Sequence, residues 1–525
     1  MIYTADFETN VSPKNVEEHQ TDVWLFDICN IDTLQHSTGN TIDEFMEKCS
    51  TLGNSIIYFH NLKFDGMFIL DYLLTHGYTH VKRKPKKSYE FTTIISDMGV
   101  FYSIIVKLKS KAHRQQNIIE FRDSLKKING SVEEIAQAFD LPIKKGSIDY
   151  TLYRQNPYTP TAEEISYIHN DTEIIARVMQ LEYAENMTEL TTASDTFMDY
   201  KRAIGKNYSI IFPVLPLEID DFIRKSYRGG VCQVANKYQG IELHNVIVYD
   251  VNSMYPNQMC NSPLPFGRPQ YYTGKYQQNE KYPLYIQHIE VCCDCKDGHV
   301  PTILMKEHVL ASKDYLITTN GYMTELWLTS IDIELMFKHY NVYDIRYIDG
   351  YMFMASLHLF NKYLMPIYNK KCTTKGAEKQ LNKLKLNALY GKFATNPRHY
   401  AKIPYLEDGV VKFKLSQEET SKPIYTAVSS FITAHARKQL FEAIQTHYND
   451  FVYCDTDSVH LLCEMQPQFD VDDKRLGAWK LEKTFEKAKY LAQKTYYGID
   501  TKTKEYIKIA EKINLDNIKK NLLII

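Results

Sequence analysis

The stretch Tyr453–His460, YCDTDSVH, sets two carboxylates, Asp455 and Asp457, one residue apart inside an otherwise apolar run. Phe451 and Val452 precede it and Leu461, Leu462 and Cys463 follow, so the flanks read as a buried strand. Like charges in such a place repel and are costly to take out of water. A hard, oxygen-seeking cation such as Mg²⁺ compensates for the pair. Asp-x-Asp also caps turns, and from these residues alone the turn reading stays open.

The bulk composition narrows the classes. A chain of 525 residues exceeds one ordinary core, which predicts several domains. With 44% hydrophobic and 24% charged residues it reads as a soluble globular protein. No apolar run reaches membrane-span length, and the start MIYTADFETN lacks a basic region followed by an apolar one. A cytosolic chain with no membrane partner is expected. Cys292, Cys293 and Cys295 lack a second pair at finger-like spacing, so reduced strand cysteines are the better reading than zinc.

A net charge of −2 argues against a uniformly basic nucleic-acid binder, but its distribution is uneven. Between Asn361 and Lys402 lysines and arginines recur and Glu378 is the only acid. Further basic clusters run over Val81–Lys87 (VKRKPKK) and from Lys480 to Lys520. Solvated faces are the bland reading of such runs. Here they alternate with strand-embedded acids, the charge plan of an enzyme acting on a phosphate polymer.

In the N-terminal third, IYTADFETN alternates like a strand, which puts Asp6 and Glu8 on one face. NSIIYFHNLKFDGMFIL reads as a strand, a short turn and a helix with Asp65 at its head. TPTAEEISYIHNDTEIIARVM reads as a helix opened by a capping box of Thr161 and Glu164, with Tyr167 and Asp171 sharing a face. Singly, each acid also fits a surface or cap position. Together Asp6, Glu8, Asp65 and Asp171 supply the carboxylates a two-metal phosphodiesterase needs. Tyr167 is placed to orient the attacking water, and Lys145 in IKKGSIDY to neutralise charge on the phosphate.

Further along, VIVYDV is a strand ending near Asp250, followed by a turn carrying NSMYP. The backbone amides of Asn252 to Tyr255 suit phosphate oxygens, and Tyr255 suits packing under a deoxyribose while excluding a 2′-hydroxyl. Covering the core is the alternative for that ring. Gly376 to Tyr390 reads as a helix whose Lys379, Lys383, Asn387 and Tyr390 form one stripe, suited to a triphosphate and its base or else a solvated lysine face. YCDTDS then reads as a second carboxylate strand opposite Asp250. Asp250 and Asp457 share the ions and Asp455 supports them. Lys494 and Tyr496, in QKTYYG, would hold a primer backbone.

These motifs carry a resemblance. DFET, HNLKFD and YIHND resemble the three motifs of the DEDDy 3′→5′ exonucleases, the proofreading domain of family B DNA polymerases. FRDSLKKI is similar to the single-strand-binding segment of the protein-primed branch. By that likeness Thr9, Asn61, Phe64, Ser124 and Leu125 hold a frayed 3′ end through contacts that tolerate any base. DVNSMYP, KLKLNALYG, YCDTDS and KTY resemble polymerase motifs A, B and C and the Lys-x-Tyr motif. SYRGG is similar to the Tyr-x-Gly-Gly linker, placing Tyr227, Gly229 and Gly230 on DNA. The likeness adds Val251 as a metal ligand, Lys371 as a nucleotide contact, and Ser253 and Gly391 as DNA contacts.

The resemblance implies an α/β and α+β multidomain fold, an RNase H-like exonuclease followed by a right-hand polymerase. Its divisions are an exonuclease over 1–189, palm over 190–260, a first insertion over 261–357 and fingers over 358–396. A second insertion over 397–425, palm over 426–508 and a tail over 509–525 complete it. The two insertions are similar to those of terminal-protein-primed polymerases of Bacillus phages. The resemblance therefore implies a monomer in the cytoplasm of an infected bacterium, with DNA template and primer, dNTPs and a terminal protein as partners. It implies two Mg²⁺ per active site, with Mn²⁺ as a substitute, and strand displacement.

Two departures stand out. His435 occupies a position that is tryptophan in the family pattern. The tail EKINLDNIKKNLLII replaces a β-rich thumb, which predicts weak grip on duplex and distributive synthesis. Alternatives are a variant acting mainly as a 3′→5′ exonuclease and a non-catalytic DNA-binding remnant; the intact acids disfavour the remnant. A reverse transcriptase is disfavoured because its catalytic strand usually carries adjacent aspartates.

Overall fold

The computed structural model describes residues 1–10, 21–109, 117–154, 158–305, 315–462 and 468–509. The segment EKINLDNIKKNLLII, 511–525, on which the expectation of distributive synthesis rested, lies outside the described residues. The chain divides into two compact units: Met1–Arg202 with Thr373–Ala388 and Asn396–Ser421, and Ala203–Cys372 with Leu389–Thr395 and Lys422–Ile525.

The first unit is built on an eight-stranded sheet. Its strands are β1 (Ile2–Thr9), β2 (Val23–Asn30), β3 (His36–Gly39), β4 (Ser55–Phe59), β5 (Thr79–His80), β6 (Glu90–Ile95), β7 (Phe101–Lys107) and β8 (Ile118–Asp123). They lie in the order β3-β2-β1-β4-β8-β7-β6-β5. β1 runs parallel to β4 and β4 parallel to β8, so β1 sits inside the sheet and is covered on both faces. Tyr3, Ala5 and Phe7 point into one core, where Phe7 meets Phe45 and Phe59 edge-on at 4.8 and 5.0 Å. The alternate residue Thr4 donates to the carbonyl of Thr172 at 2.8 Å, on the helix Ala162–Ala184. The period of two therefore turns Asp6 and Glu8 toward that helix. Both bonds of the Thr161–Glu164 capping box form, which stabilises the helix start by about 1 kcal/mol.

In the second unit β9 (Cys232–Val234) and β10 (Glu242–Val251) precede β11 (Leu264–Thr273), β12 (Leu284–Cys295), β13 (Thr324–Thr329) and β14 (Tyr340–Ser356). The last four form their own antiparallel sheet, ordered β11-β14-β12-β13. Cys292, Cys293 and Cys295 lie along β12 as free thiols. The chain then re-enters the first unit, where β15 (Arg398–His399) pairs with β18 (Glu419–Thr420) and β16 (Lys402–Glu407) with β17 (Val410–Leu415). Phe413 of β17 meets Phe101 of β7 edge-on at 6.0 Å.

The second unit closes with β19 (Phe451–Asp455), β20 (Ser458–Leu461), β21 (Trp479–Ala492), β22 (Thr495–Asp500) and β23 (Tyr506–Ile509). These join β9 and β10 in a seven-stranded sheet ordered β23-β22-β21-β10-β20-β19-β9. One expectation is corrected here. YCDTDSVH is two strands of a hairpin rather than one: Asp455 ends β19, Thr456 turns with φ 59°, and Asp457 sits in the turn before β20. The turn reading therefore holds for Thr456 and Asp457. Among the described residues, no helix is long and apolar enough to cross a membrane.

Candidate active sites

In the first unit four acids converge on one cavity of ≈ 260 Å³. Asp6 and Glu8 come from β1, Asp65 from the first turn of the helix Leu62–Thr75, and Asp171 from the helix Ala162–Ala184. Lys145 reaches in from a loop, its Nζ 2.8 Å from Asp171 Oδ2. Tyr167, one helical turn before Asp171, shares a hydrogen bond with the Tyr150 hydroxyl at 2.8 Å.

The electrostatics of this cavity call for added positive charge. Burial, then Asp171, pushes the Asp6 carboxyl up to about 7. Burial, then Asp6, pushes Glu8 up to about 9, and burial with Asp6 drives Asp65 well above the usual carboxylate range. Asp65 Oδ1 and Asp171 Oδ1 are buried without a hydrogen-bond partner. Crowded, desolvated carboxylates with unused oxygens are the donor set of a divalent-cation cage. The four acids fit Mg²⁺ or Mn²⁺.

Thr9, Asn61 and Phe64 line the same cavity, and the Phe64 ring is exposed. Asp123 ties the neighbouring segment down by accepting from the amides of Asn61 and Leu125, both at 3.0 Å. Ser124 is fully buried, its hydroxyl bonded to His60 at 3.0 Å. His60 and Tyr150 also line the cavity, and the sequence reading did not single them out. Both lie within motifs already quoted, but nothing in their spacing marks them.

In the second unit Asp250 stands opposite Ser458 in the β10–β20 pairing. The Val251 amide donates to the Asp457 carbonyl at 2.8 Å, so the two aspartates are carried on backbones bonded to each other. Val251 has a buried side chain and ends β10, so only its main chain can meet an ion. Lys494, in the turn between β21 and β22, holds both oxygens of Asp455 at 2.9 and 2.8 Å. That pair leaves Asp455 in a supporting position. Tyr496 is buried against Tyr490 and Tyr453 at 5.0 and 5.1 Å.

Ser253 adopts the left-handed conformation, φ 54°, and starts the helix Met254–Asn261 inside the segment read as a turn. Its hydroxyl accepts from Lys371 Nζ at 2.9 Å. Tyr255 stacks on Tyr390 with ring centres 3.9 Å apart. Burial pushes both phenols up, and the Asp457 carboxylate adds to the rise in each.

Gly230 lies against this stack: a Cβ there would come within 3.0 Å of the Tyr255 hydroxyl and 3.2 Å of the Thr456 side chain. Buried Arg437 fixes the segment by donating to the carbonyls of Arg228 and Gly229 at 2.7 and 3.1 Å. Tyr227 is half-buried and Gly229 exposed. Lys379, Lys383, Asn387 and Gly391 are exposed along the helix Gly376–Phe393, whereas Tyr390, the fourth residue of the expected stripe, is half-buried.

Comparison with known proteins decides the family. The family described as DNA polymerase type B, organellar and viral, matches residues 47–159 and 151–475. The chain belongs to this family. It is thus a DNA-directed DNA polymerase by class. It is 40% identical to the DNA polymerases of Bacillus phages M2 and phi29 over 502 residues, 94% of this chain and 86% of each relative. The DNA polymerase of Streptococcus phage Cp-1 is 35% identical over 94% of this chain and 87% of that one. Among solved structures, phi29 DNA polymerase complexed with primer-template DNA superposes with a TM-score of 0.91 at 37% identity. That match covers 99% of this chain and 93% of the other. The same polymerase with primer-template DNA and incoming nucleotide gives 0.90. This superposition bears out the mixed α/β multidomain architecture expected from the motifs.

Proposed function

We propose that this polymerase replicates a linear viral genome from a terminal-protein primer, with strand displacement and 3′→5′ proofreading, in the cytoplasm of an infected bacterium. The observation that carries the reading is the presence of two separate carboxylate sets, one around Asp6 and Asp171, the other on the bonded backbones of Asp250 and Asp457. Primer-template DNA and incoming nucleotide, as bound by the phi29 enzyme, are the substrates inferred for this chain.

Bound Mg²⁺ or Mn²⁺, two per site, would lower the pKa of the attacking oxygen and stabilise the leaving one. The residues supply the rest. In the trimming site Asp6, Glu8, Asp65 and Asp171 hold the ions, and Lys145 offers its charge to a non-bridging phosphate oxygen. Tyr167, braced by Tyr150, accepts or donates a hydrogen bond to the attacking water. Phe64, Asn61 and Thr9 pack along the terminal nucleotides.

In the synthetic site Asp250 and Asp457, with the Val251 main chain, hold the ions, and Lys494 keeps Asp455 in place. The Tyr255–Tyr390 stack packs beneath the incoming sugar and base. Lys371, Lys379, Lys383 and Asn387 meet the nucleotide. Tyr227, Gly229, Gly230, Ser253, Gly391 and the Lys494–Tyr496 segment meet DNA. The first insertion meets the terminal protein, whose tyrosine, serine or threonine hydroxyl starts the strand.

A labelled primer-template tests both sites at once. With Mg²⁺ and no dNTPs the primer is expected to shorten; with dNTPs it is expected to lengthen. Shortening under both conditions would reduce the protein to an exonuclease. Addition of the first nucleotide to a terminal protein, without any DNA primer, tests the priming step.

A further inference from the structure

We propose that the basic loop between β5 and β6 is a docking surface for a displaced DNA single strand; the assignment rests on the strand-displacement reading above. The loop, residues 81–89, gathers Lys82, Arg83, Lys84, Lys86 and Lys87, and Glu90 is the only acid between Thr79 and Ile95.

Basic runs are ordinarily solvated faces of no fixed shape. This one is built. The Glu90 carboxylate takes both terminal nitrogens of Arg83, one on each oxygen, at 3.1 Å. Its Oε2 also accepts from the amides of Lys86 and Lys87 at 2.8 and 3.0 Å. Lys107 Nζ donates to the Lys86 carbonyl at 2.6 Å, and Pro85 is buried. The acid and the arginine are thus used to fix the loop. Lys82, Lys84, Lys86 and Lys87 remain exposed, with no ion-pair partner among the described residues. A backbone held in shape before binding lowers the ordering cost when a ligand arrives.

Four exposed ammonium groups on one loop match the charge of a phosphate backbone. Lysines are point charges that read no base edge, so they suit a strand of any sequence. Tyr89 follows them, exposed, with its ring centre 4.9 Å from that of Tyr78. An aromatic ring beside a basic track favours a single strand, whose bases are free to stack on it. Ile94 and Met98 continue the exposed apolar surface along β6 and the turn after it. Lys402 of β16 adds charge at that turn, its Nζ 3.4 Å from where a Cβ on Gly99 would stand.

The place of the loop separates it from the trimming cavity. β5 is the far edge of the sheet, five strands from β1, which is about 24 Å at the usual strand spacing. A terminal nucleotide held by Asp6 and Asp171 does not reach it. Template and primer have their contacts in the reading above, whereas the strand peeled off ahead of synthesis has none assigned. A track that draws this strand aside opposes its re-annealing and favours advance through duplex.

The test compares the full chain with a variant carrying Lys82→Ser, Lys84→Ser, Lys86→Ser and Lys87→Ser, in which Arg83 and Glu90 still hold the loop. On a primed open single strand the two are expected to extend equally. On a primer facing downstream duplex the variant is expected to be about 3–10-fold slower at low salt, the gap closing as salt rises. Equal rates on the duplex, or equal slowing on both templates, overturns the assignment. A parent that does not displace at all removes the strand-displacement reading, and direct binding then decides for the loop. Fluorescence anisotropy of labelled oligo(dT), with Asp6→Ala and Glu8→Ala added to both proteins to prevent degradation, gives the salt dependence of binding. Its logarithmic slope is expected to fall by about 2–3 in the lysine variant. An unchanged slope, or an equal fall on blunt duplex, overturns the single-strand surface.

Discussion

Lys145 Nζ lies 2.8 Å from Asp171 Oδ2, while Asp171 Oδ1 is buried without a hydrogen-bond partner. The lysine therefore serves one oxygen of the carboxylate and leaves the other for a cation. Lys145→Ala is expected to lower primer degradation about 10²-fold and to spare primer extension. Parallel assays with and without dNTPs check it; equal loss in both would remove Lys145 from a trimming role.

The crowding of Asp6 and Glu8 costs stability when no cation is present, because each carboxyl is desolvated and repelled by its neighbours. Replacing them by neutral isosteres, Asp6→Asn with Glu8→Gln, is expected to raise the melting temperature in EDTA by about 2–4 °C. Mg²⁺ is expected to raise it more in the parent protein than in the variant, which keeps only the Asp250–Asp457 set. Degradation should vanish in the variant while extension persists. Calorimetry in EDTA and in Mg²⁺ measures both effects.

Asp250 and Asp457 are linked through the Val251 amide, and neither carboxylate can be spared if they grip common ions. Asp250→Ala or Asp457→Ala is expected to cut extension about 10⁴-fold or more and to leave degradation intact. Loss of both activities would contradict the division into two sites.

Tyr255 stacks on Tyr390 and sits under the close approach of Gly230, so its ring has little room to move. Tyr255→Val is expected to raise ribonucleotide incorporation relative to deoxyribonucleotide by about 10–100-fold. Single-nucleotide insertion kinetics with the matched pair of substrates give the ratio. An unchanged ratio would deny the ring a part in sugar choice.

His460 Nδ1 meets the Tyr490 hydroxyl at 2.7 Å in a fully buried position, and burial, then Lys483, lowers the imidazole to about 3. Between that value and the ordinary 6.5 the unfolded chain binds a proton that the fold does not. The contribution of neutral His460 is therefore full above pH 6.5 and is lost as pH falls toward 3. Relative to His460→Asn, the parent should lose about 3 kcal/mol of stability between pH 6.5 and 4. Urea unfolding of both proteins across that range checks the slope.

Much of the candidate site was legible because its signals are local. The alternation through Asp6 and Glu8, the Thr161–Glu164 cap and the four-residue spacing of Lys379, Lys383 and Asn387 each depend only on the period of one element. Other features crossed elements and left no such trace. A short apolar run with two aspartates looks alike as one strand or as a hairpin, and the left-handed Thr456 decides for the hairpin. Tyr496 matches its motif, yet the partner strands bury its ring.

The sequence by itself determined which residues carry charge and which face of each strand or helix they occupy, since side-chain direction follows from backbone periodicity. Only the tertiary structure decided which faces meet. Strand order brings β1 beside β2, so Asp27 falls opposite Asp6, and the helix Ala162–Ala184 lays His169 and Asp171 over them. Convergence of residues so far apart along the chain is set by strand order and register, and neither is written in any local repeat.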